Sequence, residues 1–127
     1  MAQPDLAGMV VGDMAATLRF YRMLGLDIPA SADSEGHVEY VTPGGFRIAW
    51  DTLDIIRSFN PDWIEPVGQR VSLAFKCDSA AEVDSLYQQL EASGYHGHKA
   101  PWDAFWGQRY AVVTDPDGSH VDLFAAL

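Results

Sequence analysis

The side chains with the most evident chemistry in this chain are aromatic, and they cluster in one short segment. Trp102, Phe105 and Trp106 fall between Pro101 and Gly107. Such rings can stack on a planar ligand, and each aromatic pair contributes about 0.5 to 1.5 kcal/mol beyond burial. The same rings can instead plug the end of a sheet or lie against a second subunit, because exposed apolar area is usually covered by something. The sequence leaves both interpretations open.

Further residues that could line a binding surface are scattered through the chain. They share an aromatic body or a charge that can pair with a ligand: Tyr40, Arg47, Trp50, Trp63, Tyr110 and Asp122. A carboxylate would pair with a ligand amine, and a guanidinium group with an acceptor-rich ligand. Trp50 is also expected to pack against a helix, and Arg109 is expected to form an ion pair with Asp115 or Asp117.

Patterns of nucleophilic catalysis are absent from the chain. No Ser-His-Asp or Cys-His arrangement and no glycine-rich phosphate loop can be read from it. Cys77 stands alone beside Phe75 in an apolar stretch, which favours a buried small side chain and excludes an intrachain disulfide. His96 and His98 flank a glycine, a pattern typical of exposed loop residues. These residues therefore predict neither a catalytic group nor a cofactor.

The elements that would position these side chains occur twice along the chain. Residues 42–50 and 115–123 are each a proline and glycine turn that leads into a strand. Upstream of each, an apolar strand runs into a helix with a capping residue, Asp13 in the first half and Ser79 in the second. Both helices place apolar residues at i, i+3, i+4 and i+7. We therefore predict an α+β fold of two βαβββ modules with pseudo-twofold symmetry, whose curved sheets enclose a cleft.

The boundaries of these elements follow from the turn and capping signals. Strands of the first module are predicted at 6–12, 26–32, 37–42 and 46–51. Strands of the second module are predicted at 71–77, 95–99, 108–114 and 119–125. The helices are expected to end near Gly25 and Gly94, and residues 53–59 to form a short helix. We predict a single domain with module one at 1–57, a linker at 58–69 and module two at 70–127.

Composition restricts the possible partners. Eight basic and eighteen acidic residues give a formal charge of −10. This balance excludes nucleic acid and an anionic membrane, because phosphate groups are bound by clustered Lys and Arg. It favours a neutral or cationic ligand, and it also simply keeps a protein soluble. No signal segment is read at the start and no apolar run reaches the ~18 residues that span a bilayer, so we expect the cytoplasm.

Two segments carry a family resemblance. Residues 20–26, FYRMLGL, and the DPDG turn at 115–118 before VDLF at 121–124 resemble the vicinal oxygen chelate superfamily. That superfamily contains glyoxalase I, extradiol dioxygenases and the bleomycin-resistance type of antibiotic-binding proteins. The resemblance covers essentially the whole chain in the right order. It implies two βαβββ modules around a cleft, commonly in a homodimer.

The same resemblance implies where a metal ion would be held. Metal-dependent members are similar in placing ligands on the first and last strands of each module. In this chain those positions fall at Leu6 or Ala7, Ser72, Ala49 and Asp122. Only Asp122 is a good ligand, whereas sites that hold a catalytic ion typically use three protein ligands. The resemblance therefore implies a chain without the metal centre of the enzymatic members.

Three hypotheses of function follow from these observations. The first is metal-independent binding of a small aromatic or planar molecule, similar to the antibiotic-sequestering members, with no catalytic residues. The second is a lyase, isomerase or dioxygenase of the superfamily with a displaced metal site, or with Asp122 as general base. The third is a domain whose cleft is filled by its own side chains.

Overall fold

The computed structural model describes all residues, 1–127. It contains two compact units, Met1–Pro66 and Val67–Leu127, and each unit is a sheet with a helix packed on it. The α+β fold class is confirmed. The boundary between the units lies within the segment 58–69 that we predict as a linker. None of the three α-helices has the length and apolar character needed to cross a membrane.

The first unit begins with a strand and a helix, as predicted. Its elements are β1 (Leu6–Val11), α1 (Met14–Met23), a 3-10 helix (Ala30–Ser34), β2 (His37–Val41), β3 (Arg47–Thr52) and α2 (Leu53–Phe59). The strand order is β1-β3-β2, with β1 parallel and β2 antiparallel to β3. The Asp13 carboxylate caps α1 by accepting from the Ala16 N–H at 3.0 Å. Gly25, with φ of 100°, follows the end of α1 and lets the chain turn.

The core of the first unit forms where α1 packs on one face of its sheet. Thr17, Phe20 and Tyr21 are fully buried, which confirms the predicted apolar face of this helix. The Tyr21 ring lies 5.2 Å from the ring of Trp50 on β3, centroid to centroid. The prediction that Trp50 packs against a helix is therefore confirmed.

The segment predicted as a strand at 26–32 is not a strand, and that prediction is wrong. A side chain, rather than a neighbouring strand, binds its carbonyl groups. Arg22 donates from Nε to the Ile28 carbonyl and from Nη2 to the Pro29 carbonyl, both at 2.8 Å. The same Nη2 pairs with Asp33 at 2.8 Å, and Pro29 has no N–H for a strand ladder. The sheet of the first unit consequently has three strands.

The second unit contains all four predicted strands. Its elements are β4 (Leu73–Lys76), α3 (Ala80–Ala92), β5 (Gly97–Ala104), β6 (Gln108–Thr114) and β7 (His120–Ala126). The strand order is β4-β7-β6-β5, with β4 parallel to β7 and the other pairs antiparallel. Strand β5 is longer than predicted and runs to Ala104, because Trp102 pairs with Tyr110 across the β5-β6 hairpin. The aromatic segment is thus a strand end and a tight turn rather than a loop.

Helix α3 covers one face of this sheet. Val83 and Leu90 on the helix and Val113, Val121 and Leu123 on the strands are all fully buried. The helix is capped by the Ser79 hydroxyl, which accepts from the N–H three residues on at 3.1 Å. The Glu82 carboxylate accepts from the Asp78 N–H at 3.3 Å and not from that of Ser79, so Ser79 and Glu82 form only half of a capping box.

We expect Arg22→Ala to lower the free energy of unfolding by about 1 to 3 kcal/mol, because it leaves two carbonyls and a carboxylate without a charged donor. Arg19→Ala is the matched control, since Arg19 is exposed on the same helix and its removal should cost less than about 0.5 kcal/mol. Urea unfolding of both variants measures the difference. Equal losses in the two variants would contradict this explanation of the 26–34 segment.

Candidate functional site

One face of the second sheet carries most of the candidate site residues. Side chains alternate along a strand, and on β7 Val121 and Leu123 are buried under α3. The alternate residues of β7 point to the opposite side: His120, Asp122 and Phe124. We call this side the far face. It is formed by His98, Trp102, Tyr110, Val112, His120, Asp122 and Phe124.

Five aromatic rings meet at one end of the far face. Their members are Trp102, Phe105, Trp106, Tyr110 and Phe124, which we call the aromatic cluster. Trp102, Trp106 and Tyr110 contact each other edge to face, with centroid separations of 5.3 to 6.0 Å. Phe105 is 96% exposed and Trp106 is 48% exposed. The predicted residues of this segment are therefore brought together, with open ring surface.

Asp122 lies beside the aromatic cluster and is bound by one of its members. The Tyr110 hydroxyl donates to the Asp122 carboxylate. Burial, then the hydrogen bond to Asp122 and its charge, raise the pKa of Tyr110 to about 12. The phenol therefore stays protonated at neutral pH and remains a donor. Tyr110 and Asp122, which the sequence predicts separately as candidate site residues, thus form a polar contact within the far face.

A shallow pocket of about 370 Å³ adjoins the aromatic cluster. It is lined by Gln69, Arg70, Val71, Ser72, His98, Lys99, Val112, His120 and Asp122. The imidazole rings of His98 and His120 lie 4.3 Å apart, centroid to centroid. Lys99 Nζ lies 4.2 Å from the centroid of the Trp102 ring and so connects the pocket to the aromatic cluster.

An irregularity in β5 places two consecutive side chains in this pocket. The pairing of β5 with β6 shifts register between Gly97 and Lys99 and again before Trp102. In a regular strand His98 and Lys99 would point to opposite faces, whereas both line the pocket. A Cβ on Gly97 would lie 2.1 Å from the Tyr87 hydroxyl on α3. Glycine at this position therefore permits the close packing of α3 against the irregular strand.

Residues 69–72, which come directly before β4, form one wall of the pocket, and the Gln69 side chain holds this segment in place. Gln69 donates from Nε2 to the Gly118 carbonyl at 2.7 Å, and its Oε1 accepts from the His120 N–H at 3.2 Å. These bonds tie residues 69–72 to the turn between β6 and β7. The position of Arg70 and Ser72 along the pocket is thereby fixed.

The predicted site residues of the first unit are placed differently. Trp50 is 0% exposed and its indole N–H has no hydrogen-bond partner, so the suggestion that it contacts a ligand is corrected because its ring belongs to the core. Tyr40 shares the helix-covered face, since its neighbour across the sheet is the buried Ile48. Arg47 pairs with Asp5 and with another carboxylate of its sheet. Trp63, half-buried, follows α2.

Arg109 forms the expected kind of bond but with other partners. It pairs with Asp84 on α3 at 2.9 Å and with Asp103 on β5 at 3.1 Å. The predicted partners Asp115 and Asp117 lie in the turn before β7, where Asp115 accepts from the N–H groups of Asp117 and Ser119. The prediction of the partners is wrong because Arg109 lies opposite Asp103 in the hairpin register.

The remaining polar side chains of the first sheet bind each other. His37 Nδ1 lies 2.5 Å from Asp51 and Nε2 lies 2.7 Å from Glu39, which also accepts from Arg47 at 2.9 Å. The hydrogen bonds to Glu39 and then Asp51 raise the pKa of His37 above its ordinary value of 6.5. Both ring nitrogens are engaged, so this histidine is not presented to a ligand.

Cys77 is buried, as predicted, and is 4% exposed. Burial, with a smaller contribution from the charges of Glu82 and Asp78, raises the pKa of this thiol to about 11. The thiolate, which is the reactive form, is therefore scarce at neutral pH. Cys77 takes no part in the candidate site.

Comparisons with known proteins agree with this architecture. The sequence profile of the Glyoxalase/Bleomycin resistance protein/Dioxygenase superfamily matches residues 3–123. No curated protein sequence matches significantly.

Solved structures share the fold over the whole chain. A glyoxalase/bleomycin resistance protein/dioxygenase family enzyme from Burkholderia phytofirmans PsJN is 23% identical, with a TM-score of 0.85 and coverage of 99% of this chain and 100% of that one. A glyoxalase/bleomycin resistance protein/dioxygenase from Nocardioides is 27% identical, with a TM-score of 0.75 and coverage of 100% and 85%. A glyoxalase-related enzyme from Fulvimarina pelagi is 21% identical, with a TM-score of 0.80 and coverage of 98% and 88%.

The paired His37 gives stability a pH dependence of known sign. Its pKa is raised by folding, so its contribution is fully present below the ordinary value and is lost as pH rises through the folded value. At about pH 5.5 we expect the free energy of unfolding of the wild type to exceed that of His37→Gln. The excess should be less than about 1 kcal/mol because the ring is half exposed, and it should vanish near pH 9. Urea unfolding at both pH values measures this. A difference that grows with pH would contradict the assignment.

Proposed function

We propose that this chain, which belongs to the Glyoxalase/Bleomycin resistance protein/Dioxygenase superfamily, binds a small planar or aromatic molecule on the far face of its second unit without a metal ion. The observation that carries the proposal is the aromatic cluster. Its outer rings are exposed beside a pocket, where a planar molecule can stack on them. An exposed aromatic surface next to a concave polar site is typical of ligand binding.

The binding free energy expected from such contacts is large enough to be measured. Each aromatic pair adds about 0.5 to 1.5 kcal/mol beyond burial, and each buried Å² of apolar area adds about 25 cal/mol. Loss of one ring that contacts the ligand should therefore weaken binding by roughly 3- to 10-fold or more. The pocket supplies polar groups that orient the ligand, and the tie from Gln69 to the β6-β7 turn limits the rearrangement needed on binding.

The donor chemistry of the chain supports binding without the metal of the enzymatic members. The positions where the superfamily resemblance implies ligands hold Leu6 or Ala7, Ala49, Ser72 and Asp122, and aliphatic side chains cannot coordinate an ion. No group of three His, Cys, Asp or Glu side chains is arranged to hold a metal. Asp122 is moreover bound by the Tyr110 hydroxyl. The residues present do not fit that metal centre.

In this proposal the protein acts by stoichiometric capture of its ligand. The resemblance to antibiotic-sequestering members makes planar antibiotics candidate ligands. Action in the cytoplasm as a homodimer is part of the same proposal.

A second candidate function is proton abstraction by Asp122. It is favoured by one observation, that Asp122 lines the pocket while Tyr110 donates to it, a geometry in which a carboxylate can accept a proton from a bound molecule. A bound compound with an acidic C–H would then exchange hydrogen for deuterium in D₂O, and Asp122→Asn would abolish the exchange. Elemental analysis that finds one tightly held divalent ion per chain would instead indicate metal-dependent chemistry.

We expect planar polyaromatic compounds, including anthracycline antibiotics and naphthalene derivatives, to quench tryptophan fluorescence and raise the melting temperature. Trp102→Leu and Trp106→Leu should each weaken binding by roughly 3- to 10-fold, because each removes a stacking surface. Trp63→Phe, outside the aromatic cluster, is the control and should leave affinity unchanged within about twofold. Isothermal titration calorimetry measures all three. A panel in which no compound changes fluorescence or melting temperature would contradict the proposal.

A further inference from the structure

The charge of the pocket is opposite to that of the protein. The chain has eighteen acidic, eight basic and four histidine residues. The pocket nevertheless contains two of the basic residues, Arg70 and Lys99, and two of the histidines, His98 and His120, against a single acidic residue, Asp122. A random sample of this composition would contain more acidic than basic groups. The pocket is a local concentration of positive charge.

The basic side chains of the pocket are not used by the protein's own carboxylates. The ion pairs of arginine in this structure are made by Arg22, Arg47 and Arg109. Arg70 and Lys99 make none. The carboxylate of Asp122 is instead engaged by the Tyr110 hydroxyl. Positive charge in the pocket is therefore available for a ligand.

His98 and His120 add imidazole hydrogen-bonding groups to the pocket beside Arg70 and Lys99. Their rings lie 4.3 Å apart, and no hydrogen bond within the protein occupies a ring nitrogen of either one. Each neutral imidazole still carries one N–H donor, so each ring can donate to a bound group. The pair therefore adds donors for a negatively charged group.

We propose that this pocket binds the carboxylate of the ligand, so that the ligand is an aromatic acid. The inference rests on the proposed function for the ring, which stacks on the aromatic cluster, and adds the charge of the group attached to it. Lys99 sets the arrangement, because its Nζ lies 4.2 Å from the centroid of Trp102. A carboxylate that contacts Lys99 places an attached ring against Trp102.

The net charge of the protein does not decide whether the pocket prefers an acidic or a cationic ligand. The overall charge of −10 favours a cationic or neutral ligand at long range. Interactions between exposed charges are largely screened beyond about 8 Å at physiological ionic strength. At contact distance the ligand meets two basic side chains, Arg70 and Lys99, against the single carboxylate of Asp122, so the local charge outweighs the distant one.

Three probes of one shape and different charge test the inference: 2-naphthoate, 2-naphthamide and 2-naphthylmethylamine. We expect wild-type protein in calorimetry to bind 2-naphthoate at least about tenfold more tightly than the amide, and the amine most weakly, because charged hydrogen bonds are about twice as strong as neutral ones. The affinity for 2-naphthoate should fall with added salt while that for the amide stays constant.

Substitutions of single basic residues test which side chains bind the carboxylate. Arg70→Gln and Lys99→Gln should each weaken 2-naphthoate by about 3- to 10-fold and change the amide by less than about twofold. Arg19→Gln is the control, because Arg19 is an exposed arginine on α1 and lies outside the pocket, and it should leave both affinities unchanged.

Failure of this inference is distinguishable from failure of the proposed function. If the amide binds as tightly as 2-naphthoate, or the amine binds more tightly, the carboxylate assignment is overturned while binding of a planar ring stands. If Arg19→Gln weakens binding of 2-naphthoate as much as Arg70→Gln and Lys99→Gln do, the pocket is not where the carboxylate binds. If none of the three probes binds, the carboxylate assignment is overturned, and the proposed function is overturned with it only when every compound of the polyaromatic panel also fails to bind. The comparison of probes on the wild-type chain does not depend on the folding of any variant.

Discussion

The burial of α3 against one face of the second sheet is the constraint on which the candidate site depends. Val83 and Leu90 cover Val113, Val121 and Leu123, all fully buried. Because strand side chains alternate, this one-sided core assigns every other residue of β6 and β7 to the far face. The aromatic cluster, Asp122 and the pocket histidines lie there as a consequence. The helix thus positions a surface that it does not touch.

The two units treat their polar sheet residues in different ways. In the first unit, His37, Glu39, Asp51 and Arg47 satisfy each other through short ion pairs and hydrogen bonds. In the second unit, the basic groups of the pocket have no carboxylate partner in the protein. Since an unpaired charge gains more from a ligand than one already paired, function is better sought in the second unit, even though the two halves have similar sequence patterns.

Local rules of the sequence predicted most of this fold, and long-range side-chain contacts account for the failures. The caps at Asp13 and Ser79 and the apolar helix faces depend on neighbours within one turn, and the structure confirms them. The 26–32 segment failed because Arg22, a residue of α1, binds its carbonyls. The pocket was missed because the register shifts around Lys99 depend on how α3 packs on Gly97, which no strand pattern reveals.

The most direct test of the far face as the binding surface is an NMR titration with 2-naphthoate. The chain has a mass of 14.0 kDa, and its four tryptophans each give one indole N–H signal. We expect the signals of Trp102 and Trp106 to shift and to saturate at the same ligand concentration, while the signal of the buried Trp50 stays in place. The Trp106 signal reports on the hydrogen bond that its Nε1 donates to Gln108. Saturable binding that leaves the signals of Trp102 and Trp106 unmoved would contradict the assignment of function to this face.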